Sequence, residues 1–130
     1  MLASQKHATP PYFCFNLRVH PRSYYFKVFK YPTIKVLKET TKVNATAFVQ
    51  PLHENTSRKN KCIGTVHLPE KATHEIILHE LIHAAIWDCT LRYDYTKIKL
   101  FDTDDSAHYA EEVLAEAVTN IYKDFYQRWK

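Results

Sequence analysis

The sequence predicts a single α+β domain in which a short, mostly antiparallel β-sheet packs against two long helices. The chain has 130 residues, 45% of them hydrophobic and 25% charged, which suits one compact domain over residues 1–130. Strand-like segments occupy its first half. Two long helical patterns follow in the second half, and these elements together make an α+β fold.

The first strands are predicted at 12–19 and 23–29. Both segments are rich in the aromatic and β-branched residues that favour strands, and Pro21 separates them. The next segment, 33–41, is ambiguous because Ile34, Leu37 and Thr41 fit a helix while its β-branched residues fit a strand. A short helix is the preferred interpretation.

A β-hairpin is predicted from segments 46–52 and 61–68, which flank the polar loop 53–60. Gly64 is the only glycine of the chain. It indicates a bulge or the close approach of another backbone at that point.

Two helices complete the domain. The first is predicted over 72–88; it is apolar almost all round, so we expect it to be buried. A connector over 89–103 follows, and the aspartates of 102–106 would cap a last helix that runs to about Arg128.

The motif H-E-x-x-H lies inside the first of these helices, as His79, Glu80 and His83. Residues four apart share a helix face, so two imidazoles can converge on one Zn²⁺ ion, with Glu80 placed to act as general base. The alternative is a set of satisfied core polar groups. An upstream copy at His74 has Leu78 where a second ligand would be needed.

A third ligand is expected from the last helix, because a catalytic zinc usually keeps three protein ligands and a water. The candidates are His108, Glu111, Glu112 and Glu116. Glu111 lies nearer the edge of the apolar helix face than Glu112 does, so the residues alone leave the choice open.

The combination of His79-Glu80-Leu81-Ile82-His83 with Glu112-Val113-Leu114-Ala115 resembles the gluzincin pattern. From about residue 46 onward the chain also resembles small phage and prophage metallopeptidases, the minimal zincins of ImmA/IrrE type. The resemblance implies a zincin-like fold, with His79, His83 and Glu112 as zinc ligands and Glu80 as the catalytic residue. It also implies that Glu116 hydrogen-bonds a ligand histidine.

The segment His83-Ala84-Ala85-Ile86-Trp87 is also similar to SprT-like proteases, which act on proteins linked to DNA. Members of that family use a third histidine in place of the glutamate. His108 is the only histidine that could serve here, and it lacks the neighbouring glycine of the family.

The function predicted from these features is a zinc-dependent metallopeptidase acting on a peptide or protein substrate. Tyr93, Tyr95 or His108 would stabilise the oxyanion. The strand just before the metal helix is expected to lie along the cleft, where an extended substrate can add to an open sheet edge. The competing class is a non-catalytic protein-binding module, such as a phage-encoded binder of a host factor, in which zinc only ties two helices together.

The net charge, the cysteines and the hydropathy indicate which partners, cellular location and thiol state to expect. The net charge of +4 comes from scattered basic residues, which are more typical of a solvated surface than of a nucleic-acid site. No membrane span or signal segment is recognisable, so a cytoplasmic location in the host is expected. Cys14, Cys62 and Cys89 form no C-x-x-C pair, and we expect reduced, packed thiols.

Overall fold

The computed structural model describes residues 11–18, 24–52, 62–93 and 105–129, without the side chains of residues 92, 93 and 105–111. Over these ranges the chain is an α+β domain with four strands and three helices, which confirms the predicted class. The elements in chain order are β1 (Phe13–Arg18), β2 (Tyr25–Tyr31), α1 (Ile34–Thr41), β3 (Phe48–Pro51), β4 (Cys62–Pro69), α2 (His74–Tyr93) and α3 (Asp105–Arg128).

The sheet is mixed, with the strand order β1-β2-β4-β3. The outer pairs β1–β2 and β3–β4 are antiparallel, and the central pair β2–β4 is parallel. The predicted hairpin of β3 and β4 is therefore confirmed. Because β2 and β4 each pair on both sides, β1 and β3 are the edge strands of the described sheet.

The two faces of the sheet carry different cores. Phe26 and Val28 of β2 pack with the buried residues of α2 and α3, including Leu81 and Ile121. Successive strand side chains point to opposite faces, and Phe29 and Tyr31 pack with Leu37 of α1. The sheet thus separates the two long helices from the short one.

The segment predicted to be a short helix is indeed helical. Thr33 caps its start, where its Oγ1 accepts a hydrogen bond from the Val36 amide at 3.1 Å. Lys42 ends it in the left-handed conformation, with φ 62°, and donates its amide to the Lys38 carbonyl. The buried Leu37 fixes the helix to the sheet.

Helix α2 starts later and ends later than predicted. Thr73 caps it by accepting a hydrogen bond from the Ile76 amide at 3.2 Å, so the first helical residue is His74. The predicted end at residue 88 was wrong, because the helix continues to Tyr93. No glycine or proline lies between these positions, so nothing local interrupts the helix.

Helix α3 contacts β1, the edge strand on the side of the sheet opposite β3. Its Asp124 accepts a hydrogen bond from the Arg18 amide of β1 at 2.9 Å, and the Phe125 ring lies edge-on to Phe15 at 5.6 Å. The helix ends at Arg128, as predicted. Most of the predicted capping cluster, residues 102–104, lies outside the described residues, as does most of the connector.

Gly64 has the predicted close backbone neighbour. A Cβ atom at this position would lie 2.9 Å from the Gln50 carbonyl oxygen and 2.9 Å from a ring carbon of Phe26. The three cysteines are free thiols, as expected, with Cys89 buried in the core. Among the helices of the described residues, none is long and apolar enough to cross a membrane.

Candidate functional site

The two histidines of the motif lie one helical turn apart on α2, with their rings turned toward each other. The Nε2 atoms are 3.1 Å apart, and the ring planes are nearly perpendicular, at 79°. Both side chains are exposed. The structure therefore brings the predicted pair His79 and His83 together at the surface of the domain.

This separation fits two ligands of one metal ion. Two imidazole nitrogens that each lie about 2.05 Å from a tetrahedral zinc are about 3.3 Å apart, close to the observed distance. The same contact is a hydrogen bond when one ring carries a proton on Nε2 and the other does not. In either case, Nε2 is the atom that each ring offers at this face of the helix.

Glu80 lies beside the pair but faces the interior, with only 7% of the residue exposed. Burial raises the pKa of its carboxyl group, and the neighbouring charges of His79 and His83 act in the opposite direction. A carboxylate with a raised pKa is a better proton acceptor than an exposed one. Glu80 therefore combines the properties of a general base with a place next to both imidazoles.

An open cleft runs between α2 and the edge strand β3. It consists of two adjoining cavities of about 420 and 530 Å³ that share Ala47, His79 and Glu80. The histidine pair and Glu80 thus lie along a groove rather than on a flat surface. A groove of this size accommodates a segment of extended chain.

The strand that lines the cleft is β3. The strand just before the metal helix is β4, so the expectation that this strand would lie along the cleft was wrong. β4 is covered on both edges, by β2 and β3. β3 pairs only with β4 among the described residues. The cleft therefore borders the second strand before the helix.

Only part of the β3 backbone is engaged by β4. The Leu52 amide donates to the Ile63 carbonyl at 2.9 Å, and hydrogen-bonded residues alternate along an antiparallel pair. By this alternation Gln50 and Phe48 also bond to β4. The N–H and C=O of Val49, a residue that lines the cleft, then point away from β4, while Pro51 offers a carbonyl but has no N–H.

Trp87 fixes the helix to the floor of the cleft. Its indole N–H donates to the Ile63 carbonyl at 2.8 Å, the same oxygen that accepts from Leu52. One carbonyl thus joins α2, β4 and the end of β3. Ile86 is one of the apolar residues that predicted a buried helix, although the spacing of His79, His83 and Ile86 (i, i+4, i+7) puts it on the histidine face.

The expectation that α2 is buried all round was also wrong. Ile82 and Ile86 are 39% and 41% exposed, and the two histidines are exposed as well. Burial therefore applies to Glu80 alone of the three motif residues. The exposed stripe of the helix carries the two imidazoles, and its buried stripe carries Leu81, Ala84 and Ala85.

The structure does not assemble the third ligand with the histidines. Within the described ranges, no group of three or more His, Cys, Asp or Glu side chains is arranged to hold a metal ion. Glu112 and Glu116 are exposed on α3. The side chains of His108, Glu111 and Tyr93 are not described, and Tyr95 lies outside the described residues.

Two described contacts join the end of α3 to the start of α2. Tyr126 forms a hydrogen bond through its hydroxyl with His74 Nδ1 at 3.0 Å, and the Tyr122 ring lies 5.7 Å from the His74 ring. Steps of three and four residues keep a single stripe on a helix. The residues that precede these tyrosines on the same stripe, Thr119, Ala115 and Glu112, are exposed.

Comparisons with protein-family models, with curated proteins and with solved structures found no match to this chain. The functional assignment therefore depends on the geometry of the cleft and on its chemistry.

Proposed function

We propose that this chain is a zinc-dependent metallopeptidase with a zincin-like domain. The observation that carries the proposal is the convergence of the His79 and His83 Nε2 atoms, 3.1 Å apart, beside the buried Glu80. The donor set of two imidazoles in an open groove suits a catalytic Zn²⁺ that retains an exchangeable position. The open edge of β3 beside them suits an extended peptide.

Each residue of the cleft has a distinct role in this proposal. A zinc ion held by His79 and His83 would supply a Lewis acid that acidifies water and polarises a carbonyl group. Glu80 would accept the proton of the attacking water and deliver it to the leaving amine. Val49 would hold the substrate backbone by main-chain hydrogen bonds.

Glu112 is the proposed third ligand. The support for it is the resemblance of Glu112-Val113-Leu114-Ala115 to the gluzincin pattern. Its exposed carboxylate is an oxygen ligand of the kind that zinc accepts alongside two histidines. Among the described contacts, none joins Glu116 to a ligand histidine, so the second role implied by the gluzincin resemblance has no support from them.

Metal analysis tests the ligand set. We expect about one zinc per chain in protein purified without added metal, as one three-ligand site requires. Zinc should be lost in Glu112→Ala and retained in Glu111→Ala and His108→Ala. Loss in Glu111→Ala or His108→Ala alone would transfer the third position to that residue.

A matched substitution tests the chemistry. Glu80→Gln keeps the size of the side chain but removes the base, so it should retain zinc and lower peptide cleavage by roughly a hundredfold or more. Cleavage at the wild-type rate would exclude Glu80 as the base. A wild-type chain that holds zinc and cleaves no peptide would instead be a protein-binding module.

A further inference from the structure

The two halves of the cleft differ in the chemistry of their walls. The half beyond His83, here called the apolar compartment, is bordered by Phe48, Val49, Pro51, Ile86 and Trp87. The half before His79, the polar compartment, is bordered by Ala45, Thr46, Glu75 and Ile76. Apart from the three motif residues, the described lining of the apolar compartment contains no charged side chain.

Both walls of the cleft run in the same direction. The strand wall passes from Ala45 to Pro51 and the helix wall from Glu75 to Trp87, so the polar compartment lies at the start of both and the apolar compartment at their end. His79, Glu80 and Ala47 lie where the compartments meet. A peptide bond held at the histidines would therefore have one flank in each compartment.

The direction of a bound peptide follows from the β3 edge. Antiparallel pairing is the more stable arrangement per residue, and Val49 offers the N–H and C=O that one partner residue can engage together. A peptide antiparallel to β3 would place its amino-terminal flank beside Pro51 and Trp87. Its carboxyl-terminal flank would then extend toward Glu75.

Ile86 is the residue best placed to contact the amino-terminal flank. It is 41% exposed, lies one turn beyond His83 and borders the cavity that contains both histidines. Val49 and Trp87 border the same space. A polar or charged side chain placed there would lose water, and apart from the three motif residues the described lining offers it no charged partner.

We infer that the cleft selects peptides with an apolar residue immediately on the amino side of the scissile bond, and that Ile86 contributes to this selection. The inference rests on the proposed peptidase function. An apolar pocket discriminates by contact area, so a preference of about tenfold over small polar and acidic residues is expected.

The test is a map of cleavage sites. Zinc-loaded protein is incubated with a library of unstructured peptides, and the cut positions are identified by mass spectrometry. Leu, Ile, Met, Val and Phe should be enriched directly before the cut. Ile86→Gln should reduce the enrichment about fivefold, and Ile86→Ala should shift it toward larger, aromatic residues, because it enlarges the pocket.

Ile82→Gln is the matched control. Ile82 lies one turn earlier on α2 with a similar exposure, 39%, but is not among the residues that border the two cavities, so its substitution should leave the preference unchanged. Cleavage without a preference, or with the preference after the cut, would overturn the inference and leave the peptidase function intact. The same holds if Ile86→Gln behaves as Ile82→Gln does. Absence of any cleavage by the zinc-loaded wild type would overturn the peptidase function itself.

Discussion

His67 is a histidine whose surroundings differ sharply from those of the exposed pair on α2. It is buried in the sheet, and its ring stacks on Phe48 at 4.4 Å and on Phe29 at 5.1 Å. Its Nδ1 forms a hydrogen bond with the Tyr31 hydroxyl at 2.8 Å, and its Nε2 one with Thr65 at 2.9 Å. Burial lowers the pKa of this imidazole from 6.5 to about 4.

The lowered pKa of His67 predicts an acid sensitivity. Between pH 6.5 and about 4 the unfolded chain binds a proton at this residue and the folded chain does not, so the free energy of unfolding falls as the pH falls through that range. A pKa of about 4 in the folded state corresponds to a loss of roughly 3 kcal/mol. His67→Gln should remove this part of the pH dependence.

Urea unfolding at pH 7.5 and pH 4.5 measures the free energy of unfolding of the wild type and of His67→Gln. The comparison uses the change between the two pH values within each protein, because the substitution also removes ring stacking and lowers stability at both. An equal change in wild type and variant would contradict the assignment to His67.

The motif residues could be predicted individually, while the completed site could not. The positions of His79, Glu80 and His83 follow from the period of one helix, because their relative geometry is local. The place of Glu112 depends on how α3 lies against α2, which is set by contacts such as that between Tyr126 and His74. No local pattern in the sequence specifies that arrangement.

At the scale of elements, the hydrogen bond from Trp87 to Ile63 predicts a modest and specific effect. Trp87→Phe retains an aromatic ring but removes the indole donor, and the Ile63 carbonyl keeps its bond from Leu52. The acceptor is therefore not left without a partner. We expect a loss of about 1 kcal/mol in the free energy of unfolding.

Denaturant unfolding measures the free energy of unfolding of each variant. Trp87→Ala serves as the comparison for Trp87→Phe, because it removes both the indole donor and the ring. The alanine variant should lose several kcal/mol, as for other large-to-small changes in packed positions. If Trp87→Phe were as damaging as Trp87→Ala, the hydrogen bond rather than the ring would be the main contribution.

Most elements were predictable because their signals are local. Aromatic and β-branched runs identified β1 and β2, and the polar segment between two apolar ones identified the hairpin of β3 and β4. The parallel pairing of β2 with β4, as in Val28 opposite Val66, has no local signature. It joins residues far apart in the chain, and it covers the edge of β4 that β3 leaves open.

At the scale of the whole molecule, zinc should act as a stabilising ligand. Metal that binds the folded site and not the unfolded chain raises the free energy of unfolding by about 2.7 kcal/mol at a hundredfold excess over Kd. The melting temperature should therefore rise with zinc concentration and fall again with a chelator. The double variant His79→Ala/His83→Ala should melt at one temperature regardless of zinc, and a persisting shift would locate the metal elsewhere.

Pro51 has a consequence for the behaviour of the protein at high concentration. An uncovered strand edge is a template on which copies of a chain can join into larger sheets. β3 is four residues long, and its last residue has no N–H to donate, so the ladder that a neighbouring molecule could build along it is short and interrupted. The edge can hold a small segment of chain while resisting self-assembly into aggregates.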